Sequence, residues 1–158
     1  MTKRFLLKKR LICLSLLLFS VSIPSLAAVC DTVAGQEKYA NNLMPTLMEL
    51  KKSIKAKEKL IEDTNSKKAD ELVARGVWSQ QEANAFFINI LKNDEFKALE
   101  ASKAPYLKTF MQNLKAASAN KSDKKAACEL SVFVIESLKE VHKINLQQHK
   151  MIAELLAH

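Results

Sequence analysis

Between residues 32 and 75 the apolar side chains Leu43, Leu47, Leu50, Ile54 and Ile61 recur at steps of 4, 3, 4 and 7, with Lys57 filling the missing step. Leu72 returns to the same stripe after Thr64 and Lys68. Steps of three and four place side chains on one face of an α-helix, so this stretch is predicted as a long, near-heptad helix with a polar middle. Asp31 or Thr32 can cap its start. Pro45 lacks the N–H that would bond to Asn41 and should kink its first part. Gly76 should end it as the left-handed residue just past the last turn.

Val77-Trp78-Ser79 then predicts a tight reversal. Ser79 and Glu82 have capping-box spacing, and Trp78 can staple onto Ala83. Ala83, Phe86, Phe87, Ile90 and Leu91 continue as a second apolar face. Asn93-Asp94 can interrupt or re-cap it, after which Phe96, Leu99, Leu107, Phe110 and Leu114 resume. Because this pattern runs past Pro105, that proline predicts a kink rather than a stop. Ser118 to Asp123 is a polar connection, with Ser122 or Asp123 as the next cap. The last helix carries one seam of Leu130, Val134, Val141, Ile144, Met151 and Leu155. A second stripe beside it holds Ile135, Leu138, His142, Asn145, His149, Ile152 and Leu156.

The first 28 residues follow none of this. Lys3, Arg4, Lys8, Lys9 and Arg10 precede an apolar run from Leu11 to about Ile23, and Pro24 leads into Ser25-Leu26-Ala27. A run of roughly 13 residues is short of the ~20 that span a bilayer as a helix. The segment reads as a secretory signal peptide over 1–27, cut after Ala27 or Ala28, leaving one helical domain over 28–158. Val29 before Cys30 argues against a lipoprotein. The charge balance then changes. Five of the 25 Lys and Arg lie in the leader, so the mature chain carries 20 against 17 acidic residues, near +3 rather than +8. The basic excess belongs largely to targeting, and nucleic acid is not an expected partner.

Removal of the leader also takes Cys13 and leaves Cys30 and Cys128, an even pair in a chain bound for an oxidising compartment. We expect one disulfide between them, and it tests topology. Helices over about 32–75, 80–117 and 124–157 would be roughly 65, 57 and 51 Å long. Running up, down and up, they bring the starts of the first and third together, where the cysteines are. The expected fold is all-α: an elongated up-down-up three-helix bundle, kinked so that it counts as four or five helices, closed by one disulfide.

Chemistry is harder to find. With 2 Gly in the whole chain, Gly35 and Gly76 standing alone, most phosphate-cradling loops are excluded. His142 and His149 share a face but stand ~10.5 Å apart along the axis, too far for one ion, so they read as a polar layer with Asn145. Glu154 and His158 have i, i+4 spacing at a terminus, a weak metal signal. The run Asn42-Leu43-Met44-x-x-Leu47, with Met48 near it and a late His149, resembles cytochrome b562, a secreted four-helix haem protein. That likeness implies a haem or small-molecule carrier with Met and His ligands at one end of antiparallel helices. The cysteine restraint makes these helices parallel, and Met44 and Met48 read more simply as gap-filling core. No cofactor and no metal are expected on the leading reading.

Glu58/Glu62 and Glu136/Glu140 are carboxylate pairs, read as lying on charged faces without partners; general acid/base work needs a cleft that splits their pKa values. Lys51, Lys55 and Lys59 form a basic stripe among Glu58, Glu62 and Asp63, read as a solvated face with intrahelical ion pairs. Lys121, Lys124 and Lys125 gather at a helix start, a weak anion contact against Asp123. The aromatic hairpin tip, Val77, Trp78, Phe86 and Phe87, is the candidate partner contact, since tryptophan is a frequent interface anchor. Together these features predict an exported, non-enzymatic helical protein that binds another envelope or secreted protein.

Overall fold

The computed structural model describes residues 28–157. The leader over 1–27 and its cleavage therefore lie outside the described residues, as does His158. A 3-10 turn over Ala28–Asp31 leads into six α-helices: α1 (Val33–Asn41), α2 (Leu43–Ala74), α3 (Gln80–Ile90), α4 (Asp94–Ser102), α5 (Ala104–Ala119) and α6 (Lys124–Leu155). The described residues form no strand. α1 and α2 make a rising arm broken at Asn42, α3 to α5 make a segmented descending arm, and α6 rises again. The bundle is all-α and up-down-up; α1, α2, α4 and α5 pack on α6, and α3 packs on α2.

Local chemistry explains each boundary. Thr32 Oγ1 accepts from the Gly35 N–H at the start of α1. The break between α1 and α2 falls at Asn42, so Pro45 sits in the first turn of α2, where its missing N–H costs nothing. α2 ends in a Schellman motif. The Gly76 N–H donates to Val73 O and the Val77 N–H to Leu72 O, with Gly76 at φ 68°. Ser79 and Glu82 form the reciprocal capping box, with Glu82 Oε2 2.7 Å from the Ser79 N and the Glu82 N 3.2 Å from Ser79 Oγ. Asn93 caps α4 by accepting from Glu95 and Phe96, and Asp123 caps α6 by accepting from Ala126. Lys103 separates α4 from α5, and Pro105 stands just inside α5, where it starts a helix instead of kinking one.

The apolar core lies toward the disulfide end. Leu43, Leu47, Ala117, Val134 and Ile135 are buried together, with Leu50, Phe110, Leu114 and Leu138 packed around them. Cys30, Cys128 and Val132 form a second cluster bridged to the first by Tyr39. The bond Cys30–Cys128 has a Cα–Cα distance of 5.7 Å, and both cysteines are fully buried. α1 reaches it through an unusually close approach. A Cβ on Gly35 would stand 1.8 Å from the Val29 carbonyl oxygen, so only glycine fits.

Farther along, the interior turns polar. The stripe on α2 reads Leu43, Leu47, Leu50, Ile54, Glu58, Ile61, Asn65, Ala69 and Leu72, with Glu58 in the place expected for Lys57, which is exposed. Met44 and Met48 also depart from expectation. They are 58% and 70% exposed, on the flank of the α2 stripe rather than in the core. Leu155 at the end of α6 is exposed too, whereas Leu156 is buried.

Candidate functional site

The connection between α2 and α3 makes the tip of the molecule. The Schellman turn and the capping box fix it from both sides, so it presents a defined surface. Trp78 stacks on Phe86 with ring centroids 5.1 Å apart, and Phe86 meets Phe87 edge-on at 5.3 Å. This ring contact with Phe86 goes beyond the expected staple on Ala83, which is itself buried. Trp78 and Phe86 are half-buried in this stack, whereas Val77 and Phe87 are exposed. Leu91, expected on the inward apolar face, is 62% exposed, and Ile88 beside it is 55% exposed. Their neighbours Ala83 and Ile90 are buried, which turns the α3 helix so that these side chains face outward.

Between α2 and α6 runs a seam of polar contacts. Glu58 Oε1 accepts from Asn145 Nδ2 at 2.6 Å and lies 3.1 Å from His142 Nδ1. A carboxylate offers only acceptors, so the His142 proton sits on Nδ1 in this contact. Glu58 is therefore not a partnerless surface carboxylate; it is the counterpart of the polar layer expected from His142 and Asn145. Farther along, the buried Asn65 donates through Nδ2 to the His149 carbonyl at 3.2 Å. Gln148 crosses to the descending arm, donating to Glu100 Oε2 at 3.0 Å. Glu100 also accepts from Lys103 at 2.5 Å, and these bonds, Lys103 first, hold its carboxyl below the usual range. His142 and His149 are both half-buried.

Two cavities open along this seam. One of about 480 Å³ lies between α4 and α6, walled by Glu95, Leu99, Gln147, Lys150 and Glu154 among others. Lys150 and Glu154 approach to 3.7 Å, so its charges partly cancel. The other, about 320 Å³, lies among α2, α3 and α6.

The remaining candidates are spread out. Lys125 pairs with Asp31 at 2.6 Å, which raises its pKa, and Lys121 and Lys124 are exposed beside it. Lys51, Lys55 and Lys59 are exposed, and none makes an ion pair among the described residues; the pairs that form on α6 are Glu136–Lys139 and Glu140–Lys143. Met44 and Met48 stand at the start of α2, whereas His149 is level with Asn65, about 25 Å farther along a parallel helix. One haem iron cannot take both residue types as ligands across that distance. No group of three metal-ligating side chains comes together among the described residues, and no helix there is long and apolar enough to cross a membrane.

What the arrangement offers is a rigid aromatic tip and a polar, partly open seam behind it. Comparison with protein-family models, with curated proteins and with solved structures finds no match to this chain.

Proposed function

We propose that this is an exported, non-enzymatic protein that works by binding another protein in the cell envelope. In that setting a chaperone, an inhibitor or immunity partner, or a surface-assembly component would use such a helical scaffold. The observation that carries the reading is the set of exposed apolar side chains on the tip and α3, Val77, Phe87, Ile88 and Leu91, beside the Trp78–Phe86 pair. Apolar groups left in water on a well-capped element favour burial against a partner, and rigidity lowers the entropy lost on binding. The basic leader, the short apolar run and the single disulfide favour a bacterial periplasm.

Affinity capture from the native envelope, with the disulfide intact, tests this. The wild-type protein should retain a partner that Ile88→Ser/Leu91→Ser loses, since neither side chain supports the core. Trp78→Ala should weaken capture as well, provided its circular dichroism is unchanged. Variants that fold normally and retain every partner would remove the tip from the binding surface.

A further inference from the structure

The smaller cavity carries a chemistry of its own. Its wall is formed by Glu62, Asn65 and Ser66 from α2, Phe87 from α3, and His149 and Ile152 from α6. Three features of that wall converge. First, Glu62 has no ion-pair partner among the described residues, and no Lys or Arg lines the cavity. Second, His149 Nδ1 is buried without any hydrogen-bond partner, and it is the side-chain polar atom so placed among the described residues. That atom is closed off behind the wall, so His149 lines the cavity through the rest of its ring. Third, Asn65 gives one of its two amide N–H donors to the His149 backbone, and its oxygen makes no hydrogen bond among the described residues.

The wall thus offers a carboxylate, an amide oxygen and a serine hydroxyl, with no cationic side chain among them. Phe87 and Ile152 supply an apolar side. Volume, sign of charge and donor demand then agree. The cavity lies within the size range of small-molecule sites, about 300–1,000 Å³. A lone carboxylate in its wall selects a cation. A ring face beside it suits an aromatic body or a cation held over the ring. We infer that this cavity is a binding site for a small aromatic or alkyl-aromatic ammonium compound, with its nitrogen toward Glu62 and its apolar part against Phe87 and Ile152. The larger cavity does not share this character, because Lys150 is in its wall and already paired with Glu154. The site shares Phe87 with the tip surface but is otherwise built from α2 and α6, and the Glu62 and Ser66 variants test it without touching the tip.

The test uses the disulfide-bonded mature chain and three probes of one shape: phenethylammonium, 2-phenylethanol and 3-phenylpropionate. Amide shifts in nitrogen-15 spectra locate each probe and give its affinity. The ammonium probe should shift Ser66, Phe87 and Ile152 at millimolar concentration, the alcohol should bind about tenfold more weakly or less, and the carboxylate should not bind. Glu62→Gln, an exposed change that should leave the fold intact, should remove the preference for the ammonium. Ser66→Leu should block all three probes by filling the cavity. Equal affinity for the three probes, shifts scattered over the surface, or unchanged ammonium binding by Glu62→Gln would each overturn the assignment. Absence of any shift at the cavity would do the same, leaving it a place for water.

Discussion

At the scale of single residues, the tightest constraint is one missing methyl group. Gly35 lets α1 lie against the turn that carries Cys30, and Gln36 then donates to the Cys30 carbonyl at 2.8 Å. The obstacle to a larger side chain is backbone, the Val29 carbonyl, which cannot swing aside as a side chain can. Gly35→Ala should therefore destabilise the protein by about 1–3 kcal/mol, read as a lower urea midpoint with unchanged slope. An unchanged midpoint would mean that the turn moves freely. The sequence gives no warning of this requirement, since Gly35 falls inside a helical pattern at a negative φ. Gly76 was readable, because it follows the last periodic residue and precedes a capping box. Glu58 could also have been read. The step from Ile54 to Glu58 to Ile61 is as regular as the one through Lys57, and charge alone gave no way to choose between them. The choice is made by His142 and Asn145 on another helix, which only the tertiary structure brings near.

At the scale of elements, the descending arm shows how a chain can break repeatedly yet keep its direction. Asn93 and Lys103 split it into three helices, each restarted by a local device: a side-chain cap at Asn93 and a proline in the first turn after Lys103. Of these, α4 is the least secured, as it contributes no buried residue. Its tie to α6 runs through Glu100, which accepts from Gln148. The folded state lowers the Glu100 pKa, so the bond adds stability above the unfolded carboxylate pKa and loses it as pH falls through the folded value. Acidification from about pH 6 to pH 3 should therefore raise amide exchange in α4 before it does so in α5. Simultaneous loss of protection in both would show that they open as one unit. The capping-box carboxyl of Glu82, also held low by its bonds from Ser79, moves the start of α3 in the same sense. Caps and helix faces were legible here because they are local. The choice of Phe86 as the partner of Trp78, and the exposure of Met44 and Met48, were not, because both depend on how far each helix turns about its own axis when it docks.

At the scale of the whole molecule, the protein is asymmetric from end to end. Two apolar clusters pack near the disulfide, while the interhelical contacts of Glu58, Asn65 and Gln148 and the two cavities lie farther toward the tip. The two cysteines made this topology predictable, since only an even number of long passes between them returns Cys128 to the end that holds Cys30. They did not foretell the uneven distribution of packing, which comes from Glu58, Asn65, His142, Asn145 and Gln148 occupying inward positions. Replacing both cysteines by serine should cost about 4 kcal/mol, because the bridge closes a span of 98 positions and so restricts the unfolded chain. The loss, measured by denaturation, should appear at the disulfide end first. If the variant keeps wild-type stability, the core at that end is sufficient without the bond.

The bridge also fixes the path that mechanical tension takes. A pull applied across residues 28 and 157 crosses from Cys30 to Cys128 through sulfur and continues along α6. Everything between the cysteines, including the descending arm and the aromatic tip, forms a closed loop that carries no load. Its extended length, about 340 Å of chain, is locked away for as long as the bond is oxidised. The surface proposed to bind is thereby isolated from whatever strains the ends.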